Sequence, residues 1–144
     1  MMRDQSNSLH FVPAIAPAAA RTNNTAIVST IIDRLGYEAL TFAIITGANT
    51  DVDATFAVLV EDGNDPDLGD DGAAVPDDSL VGTEALAGFT FADDGECRKV
   101  GYVGSKRYVR LTITPTGNDS GNIFVSAIAV LGRPHNAPTA NPPQ

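Results

Sequence analysis

Hydrophobic and polar residues alternate with a period of two along much of this chain. Segment 106–114 places Val109, Leu111 and Ile113 on one face, with polar residues between them. The same inward positions recur as Leu40, Phe42 and Ile44, as Phe56, Val58 and Val60, and as Ile123, Val125, Ala127 and Ala129. A period of two is that of a β-strand with one covered face. The pattern therefore predicts a succession of short strands.

Two strands have a second face that is also apolar. Segment 37–46 carries Ala39, Thr41, Ala43 and Ile45 on the other side, and segment 122–131 carries Phe124, Ile128 and Val130 there. Strands that are apolar on both faces are typical of a sheet covered on both sides. We therefore expect something to cover segment 37–46 beyond the core of the domain.

Turn signals separate these segments. Asp62-Gly63 marks one turn, and Gly104-Ser105 between segments 96–103 and 106–114 predicts a two-residue hairpin of type II′. Segment 84–88 predicts one helical turn. The composition agrees, with 13 Gly, 9 Pro, no Trp and many β-branched residues. The predicted fold class is all-β: a single antiparallel β-sandwich of seven or eight strands, jelly-roll-like.

The two ends of the chain lack any sustained period. Residues 1–24 contain Pro13 and Pro17 and predict an extended N-terminal arm, residues 25–134 predict the sandwich domain, and residues 135–144 predict an exposed Pro-rich tail. The apolar arm residues are Leu9, Phe11, Val12 and Ile15. They favour an arm that lies along a neighbouring subunit, with a disordered terminus as the alternative.

The formal net charge of −9 argues against direct binding to nucleic acid or to an anionic membrane surface. We find no apolar run long enough to span a bilayer, and the first residues lack the features of a signal peptide. We therefore expect synthesis in a cytoplasm. The single cysteine, Cys97, cannot form an intrachain disulfide, and its place in a strand predicts a buried structural residue.

Catalytic chemistry has little support in this sequence. Both histidines, His10 and His135, fall in the two ends, where a general base would lack a rigid scaffold. No nucleophile–base pair is visible, so the prediction is a protein that is not an enzyme and has no cofactor. Fourteen acidic residues and no Lys or Arg lie between Asp51 and Glu96. They do not fit an EF-hand, so we interpret 62–83 as a solvated acidic loop, with an irregular Ca²⁺ site as the alternative.

A basic stretch follows the acidic one, with no acid among its members. It consists of Arg98, Lys99, Lys106, Arg107 and Arg110. These residues either balance the acidic loop of the same subunit or meet the acidic loop of a neighbour. With Arg21 and the four apolar arm residues, they are the candidate interface residues.

Several stretches resemble small proteins of tailed bacteriophages and prophages. They are Leu35–Phe42, Gly82–Ala85, Phe91–Asp94 and, most characteristically, Gly101–Leu111, and the similarity spans roughly residues 25 to 135. These relatives look like capsid-associated structural proteins of the cement or decoration type.

The resemblance implies a protein on the outer capsid surface of a virion. It would bind the major capsid protein, bridge its subunits and work as a homo-oligomer, with a trimer favoured. The alternatives are a β-sandwich of the tail, neck or fibre base, and a carbohydrate-recognising surface module that uses the loop at 62–83.

Overall fold

The computed structural model describes residues 3–143, which form two antiparallel β-sheets packed face to face. The strands are β1 Leu9–Ile15, β2 Ile27–Val28, β3 Ile32–Asp33, β4 Tyr37–Asn49, β5 Thr55–Gly63, β6 Ala73–Ala74, β7 Leu80–Val81, β8 Phe89–Thr90, β9 Cys97–Tyr102, β10 Tyr108–Thr116 and β11 Ile123–Pro134. One helical turn, α1 Glu84–Ala87, lies between β7 and β8. The predicted all-β sandwich is confirmed.

Sheet A has the strand order β1-β11-β4-β9-β7. Sheet B has the order β2-β10-β5-β6, with β3 also paired to β10 and β8 to β5. From β4 onward the long strands β4, β5, β9, β10 and β11 alternate between the sheets, and the first strand pairs with the last. This arrangement is that of a jelly roll, in which most connections cross from one sheet to the other.

The predicted hairpin at Gly104-Ser105 is wrong. Strand β9 belongs to sheet A and pairs with β4, whereas β10 belongs to sheet B and pairs with β5. Residues 103–107 therefore cross the sandwich instead of forming a tight turn. Tertiary packing overrides the local turn preference, because β9 and β10 each bury apolar residues against the opposite sheet.

The core lies between the two sheets and follows the predicted alternation. Phe42 and Ile44 of β4, Val60 of β5 and Leu111 and Ile113 of β10 have no exposed surface. Their alternation with outward-facing neighbours explains why these segments form strands. The predicted helical turn at Glu84 is also confirmed, and it begins with the Thr83 hydroxyl accepting a hydrogen bond from the Leu86 N–H at 3.0 Å.

The N-terminal arm is not separate from the sandwich. Residues Leu9–Ile15 form β1, which pairs with β11 along its length, from Leu9 opposite Gly132 to Ile15 opposite Ala127. Pro13, the proline within β1, is tolerated because β1 is an edge strand, and Pro17 lies beyond the end of the strand. The division at residue 24 is therefore corrected, since the sandwich already begins at β1.

The C-terminal tail is also partly fixed. Strand β11 continues to Pro134, and beyond it the Thr139 side chain is buried. Its hydroxyl donates to the Leu9 carbonyl at 2.6 Å, and its N–H donates to the Asn7 carbonyl at 3.0 Å. The prediction of a fully exposed tail is therefore wrong at Thr139. No helix within residues 3–143 has the length and apolar character needed to cross a bilayer.

Candidate interaction surface

The outer face of sheet A, which points away from the core, is unusually apolar. Phe11 of β1 lies opposite Val130 of β11, and Ile128 of β11 lies opposite Ala43 of β4. The large exposed members are Phe11 (41%), Ile45 (52%), Phe124 (52%) and Ile128 (42%). An exposed apolar patch of this extent is typical of an interaction surface.

The strands of sheet A are nearly free of acidic residues. The chain has 18 of them, yet β1, β4, β7, β9 and β11 contain only Glu38, beside the basic Arg98, Lys99 and Arg133. Sheet B differs, because its outer face carries the Glu61–Arg110 pair and a row of threonines on β10. The molecule is therefore polarised into an apolar, slightly basic face and an acidic remainder.

The sequence contained a signal for this face. Ile45, Phe124, Ile128 and Val130 belong to the strands that are apolar on both sides, which predicted a second cover for segment 37–46. The structure exposes the outer residues of this set instead of covering them with another element of the chain. The candidate interface residues predicted from the sequence lie in the arm and the basic stretch and do not include these four.

The four apolar arm residues divide between two faces of β1. Phe11 and Leu9 lie on the outer face of sheet A, opposite Val130 and Gly132. Val12 packs against the core, and Ile15 is only 4% exposed within it. Arg21 bridges to β11, with its backbone N–H donating to the Ile123 carbonyl at 2.8 Å. Of the four, Phe11 and Leu9 are placed for contact with another molecule.

Four of the five residues in the basic stretch form ion pairs within the subunit. Arg107 contacts Asp33 through two hydrogen bonds of 2.8 Å, and Arg110 contacts Glu61 at 2.8 Å. Arg98 lies 2.9 Å from both Asp93 and Glu96, and Lys106 lies 4.0 Å from Asp71. Lys99 is exposed on the outer face of sheet A and has no ion pair within residues 3–143. The other four side chains are therefore paired within the subunit, and only Lys106 is paired with the acidic segment 62–83.

One of these ion pairs changes the protonation equilibrium of both its members. The guanidinium of Arg107, through its hydrogen bonds, lowers the pKa of the Asp33 carboxyl and has its own pKa raised in return. Both groups are largely exposed, so the pair contributes little to stability.

A buried tyrosine fixes the crossing segment 103–107. The Tyr102 hydroxyl donates to the Asp62 carboxylate at 2.5 Å and accepts from the Lys106 N–H at 3.0 Å. The Arg34 guanidinium lies 4.7 Å from the centre of the Tyr102 ring and donates to the carbonyls of Gly104 and Lys106. Burial, with a smaller contribution from Asp62, raises the pKa of Tyr102 to about 12. These contacts hold the two sheets at one end of the sandwich.

The acidic segment 62–83 contains the short strands β6 and β7, so it is not one continuous loop, and several of its carboxylates accept hydrogen bonds within the segment. Asp71 accepts from the N–H groups of Asn64 and Asp65, and Asp65 accepts from the N–H of Asp70. These backbone hydrogen bonds lower the pKa values of both carboxyls. Within residues 3–143 no three His, Cys, Asp or Glu side chains cluster closely enough to hold a metal ion. The carboxylates of this loop therefore stabilise its own turns.

Asp51 has the same structural role at the opposite end of the sandwich. Its carboxylate is only 2% exposed and accepts from the N–H groups of Asp53, Asp119 and Ser120. The hydrogen bond from the Ser120 N–H is the main reason that its pKa lies below the ordinary value. The side chain ties the β4–β5 connection to the β10–β11 connection.

The two histidines and the cysteine, none of which was predicted to be catalytic, have different surroundings. His10 is buried in β1 and stacks on Tyr37 at 5.4 Å, whereas His135 contacts Glu38 at the surface. Cys97 is exposed, which corrects the prediction of a buried thiol. It pairs with the exposed Ile45 across β4 and β9, so its side chain lies on the outer face of sheet A.

Comparisons with known proteins identify a fold but no family. No family model matches the chain, and no curated protein matches it either. The PBSX exported protein XepA is similar over 92% of this chain and 39% of its own length, at 13% identity and a TM-score of 0.52. This chain therefore spans well under half of that protein. The xylan-binding module CBM15 is similar over 92% of this chain and 95% of its own length, at 12% identity and a TM-score of 0.40.

Proposed function

We propose that this protein is a structural component of a phage virion, of the cement or decoration type. In this proposal it docks on the outside of the assembled shell and joins neighbouring copies of the major capsid protein. The outer face of sheet A is the docking surface. The resemblance of Gly101–Leu111 and neighbouring segments to phage capsid-associated proteins supports the setting, and the likeness to XepA supports the fold alone.

The observation that carries the proposal is the polarity of the molecule. A chain of net charge −9 presents one sheet face with exposed Phe11, Phe124 and Ile128 and almost no acid. Leaving such a face in water is unfavourable, and burying it contributes roughly 25 cal/mol per Å² of apolar area. A surface with so few acidic residues also avoids like-charge repulsion when it meets an acidic partner. A docking role accounts for both properties together.

Binding of many copies to one shell accounts for stabilisation. A protein that binds the assembled shell but not free subunits shifts the equilibrium towards assembly by mass action. Several copies around a local symmetry axis, such as the trimer implied by the resemblance, would add avidity. Sheet B and the acidic loop would then face the solvent on the coated particle.

The decisive experiment is to count this protein in purified virions by quantitative mass spectrometry and to locate it by electron cryo-microscopy. We expect a copy number comparable to that of the major capsid protein, with sheet A facing the shell. A few copies at the portal vertex would favour the tail, neck or fibre-base alternative. Absence from virions would refute a structural role in the particle.

A further inference from the structure

Strand β9 has an edge that its neighbour β7 covers only in part. On one side β9 pairs with β4 over all six residues, from Cys97 to Tyr102. On the other side β7 provides two residues, which pair with Gly101 and Tyr102. At Gly82 the chain turns away from β9 with a φ of +85°, a conformation that favours glycine. The remaining edge of β9 has no strand partner within residues 3–143, and α1 packs beside it with Leu86 at the rim.

The backbone groups of Cys97 and Lys99 point toward this open edge. The Val103 N–H donates to the Ser79 carbonyl on the β7 side at 2.9 Å. Because alternate residues of an antiparallel strand direct both backbone polar groups to the same neighbour, Gly101, Lys99 and Cys97 face that side as well. A Cβ built on Gly82 would lie 4.0 Å from the Lys99 carbonyl oxygen, which agrees with this direction. Open backbone groups of this kind are a template for an added strand.

A groove of about 720 Å³ lies over this edge and the adjoining outer face of sheet A. Its apolar wall consists of Val81, Leu86 and Val103, which are 60%, 71% and 60% exposed. Lys99 and Arg133 supply positive charge. Glu38, the acidic residue of the lining, is already in contact with His135. The groove is therefore apolar and basic on a strongly acidic protein.

We propose that the open edge of β9 at Cys97 and Lys99 binds an extended acidic segment of the shell protein as an added β-strand. Main-chain hydrogen bonds to Lys99 would provide affinity, and Lys99 and Arg133 would select acidic side chains. The apolar residues of the segment would pack against Val81 and Leu86. This chain's own acidic loop is a poor occupant, because Asp65 and Asp71 hold it folded. The inference rests on the proposed function only in naming the shell as the source.

The test is a titration of the full-length protein with a capped heptapeptide of alternating aspartate and valine, followed by amide NMR. We expect chemical-shift changes confined to β9, β7 and the groove, and slower hydrogen exchange at the Lys99 amide. Lys99→Glu should weaken binding about tenfold, since an attraction is replaced by a repulsion. Arg3→Glu, which makes the same charge change at an exposed residue ahead of β1, is the matched control and should have little effect.

A second variant separates the backbone contribution from charge. Lys99→Pro removes the outward N–H and leaves the ladder with β4 unchanged, so it should abolish peptide-dependent shifts. If that variant fails to fold, Lys99→Glu and a heptapeptide with lysine in place of aspartate decide the question. Equal binding of the two peptides, or shifts spread over both sheets, would overturn the proposal. The titration needs no virions, so its outcome is independent of the copy-number experiment. Failure of the titration contradicts the strand-binding edge, whereas absence from virions contradicts the proposed function.

Discussion

At the scale of single residues, several polar side chains stabilise the connections between strands. Tyr102 and Asp51 lie at opposite ends of the sandwich, and each joins chain segments that are distant in sequence. Their partners were invisible in the sequence, because Asp62 and Lys106 come together only when the chain crosses between sheets. The acidic character of the loop was predictable, but the hydrogen bonds that use it were not.

Tyr102→Phe should lower the free energy of unfolding by about 1–3 kcal/mol, because it removes the hydroxyl shared by Asp62 and the Lys106 N–H. Urea unfolding followed by circular dichroism measures the change. Tyr108→Phe is the matched control, since Tyr108 is half-buried on the outer face of sheet B and its hydroxyl has no hydrogen bond within residues 3–143. Equal losses of unfolding free energy in the two variants would show that the hydrogen bonds of the Tyr102 hydroxyl do not stabilise the fold.

Asp51→Asn should reduce the acid sensitivity of the fold. The native state lowers the pKa of Asp51, so it binds this proton less readily than the unfolded chain does. Stability from this carboxylate is therefore present above the ordinary aspartate pKa and is lost as pH falls through the lower, folded value. Urea midpoints measured between pH 7 and pH 2 should fall less in the variant, from a lower starting point at neutral pH. Asp53→Asn, which keeps the hydrogen bonds to the Asp51 carboxylate, is the matched control, and an equal change in both variants would contradict the prediction.

At the scale of elements, β1 shows how one strand serves two purposes. Its inward residues complete the core beside β11, and its outward Phe11 extends the apolar outer face of sheet A. The sequence identified the apolar content of this segment correctly. It could not show that the partner is the last strand of the same chain, because Leu9 and Gly132 are separated by almost the whole sequence.

Two substitutions in β1 should have opposite consequences. Ile15→Ala should cost about 2–5 kcal/mol of unfolding free energy, because it leaves a cavity between the sheets. Phe11→Ala should change stability by less than about 1 kcal/mol but should reduce binding to the particle. Thermal unfolding and a particle co-sedimentation assay give the two readouts. A large stability loss in Phe11→Ala would place that residue in the core and contradict the division of β1.

At the scale of the whole molecule, the segregation of charge is the main functional clue. Acidic residues concentrate in the loops and near the edge of sheet B, whereas sheet A contains Glu38 alone among them. Net charge could be counted from the sequence, but its division between two faces depends on which strands share a sheet. The basic stretch illustrates the difference, since Lys99 and Arg110 are close in sequence but belong to different sheets.

Placing a charge on each face tests this polarity. Ile128→Asp on the outer face of sheet A should leave the fold intact and strongly reduce particle occupancy, because an unpaired charge would be buried at the interface. Thr114→Asp, an exposed change on β10 of sheet B, should retain normal occupancy. Occupancy is measured by mass spectrometry of particles separated from free protein. Equal loss in both variants would argue against sheet A as the docking face.

The sequence by itself determined the class of the fold and the inward residues of its main strands. Period-two alternation is a local consequence of strand geometry, so it can be seen without knowing which strands pair. Only the tertiary structure decided that β9 and β10 separate and that β1 joins β11. It also left the second apolar face of sheet A exposed. Pairing and exposure depend on contacts between distant segments, which a local pattern does not encode.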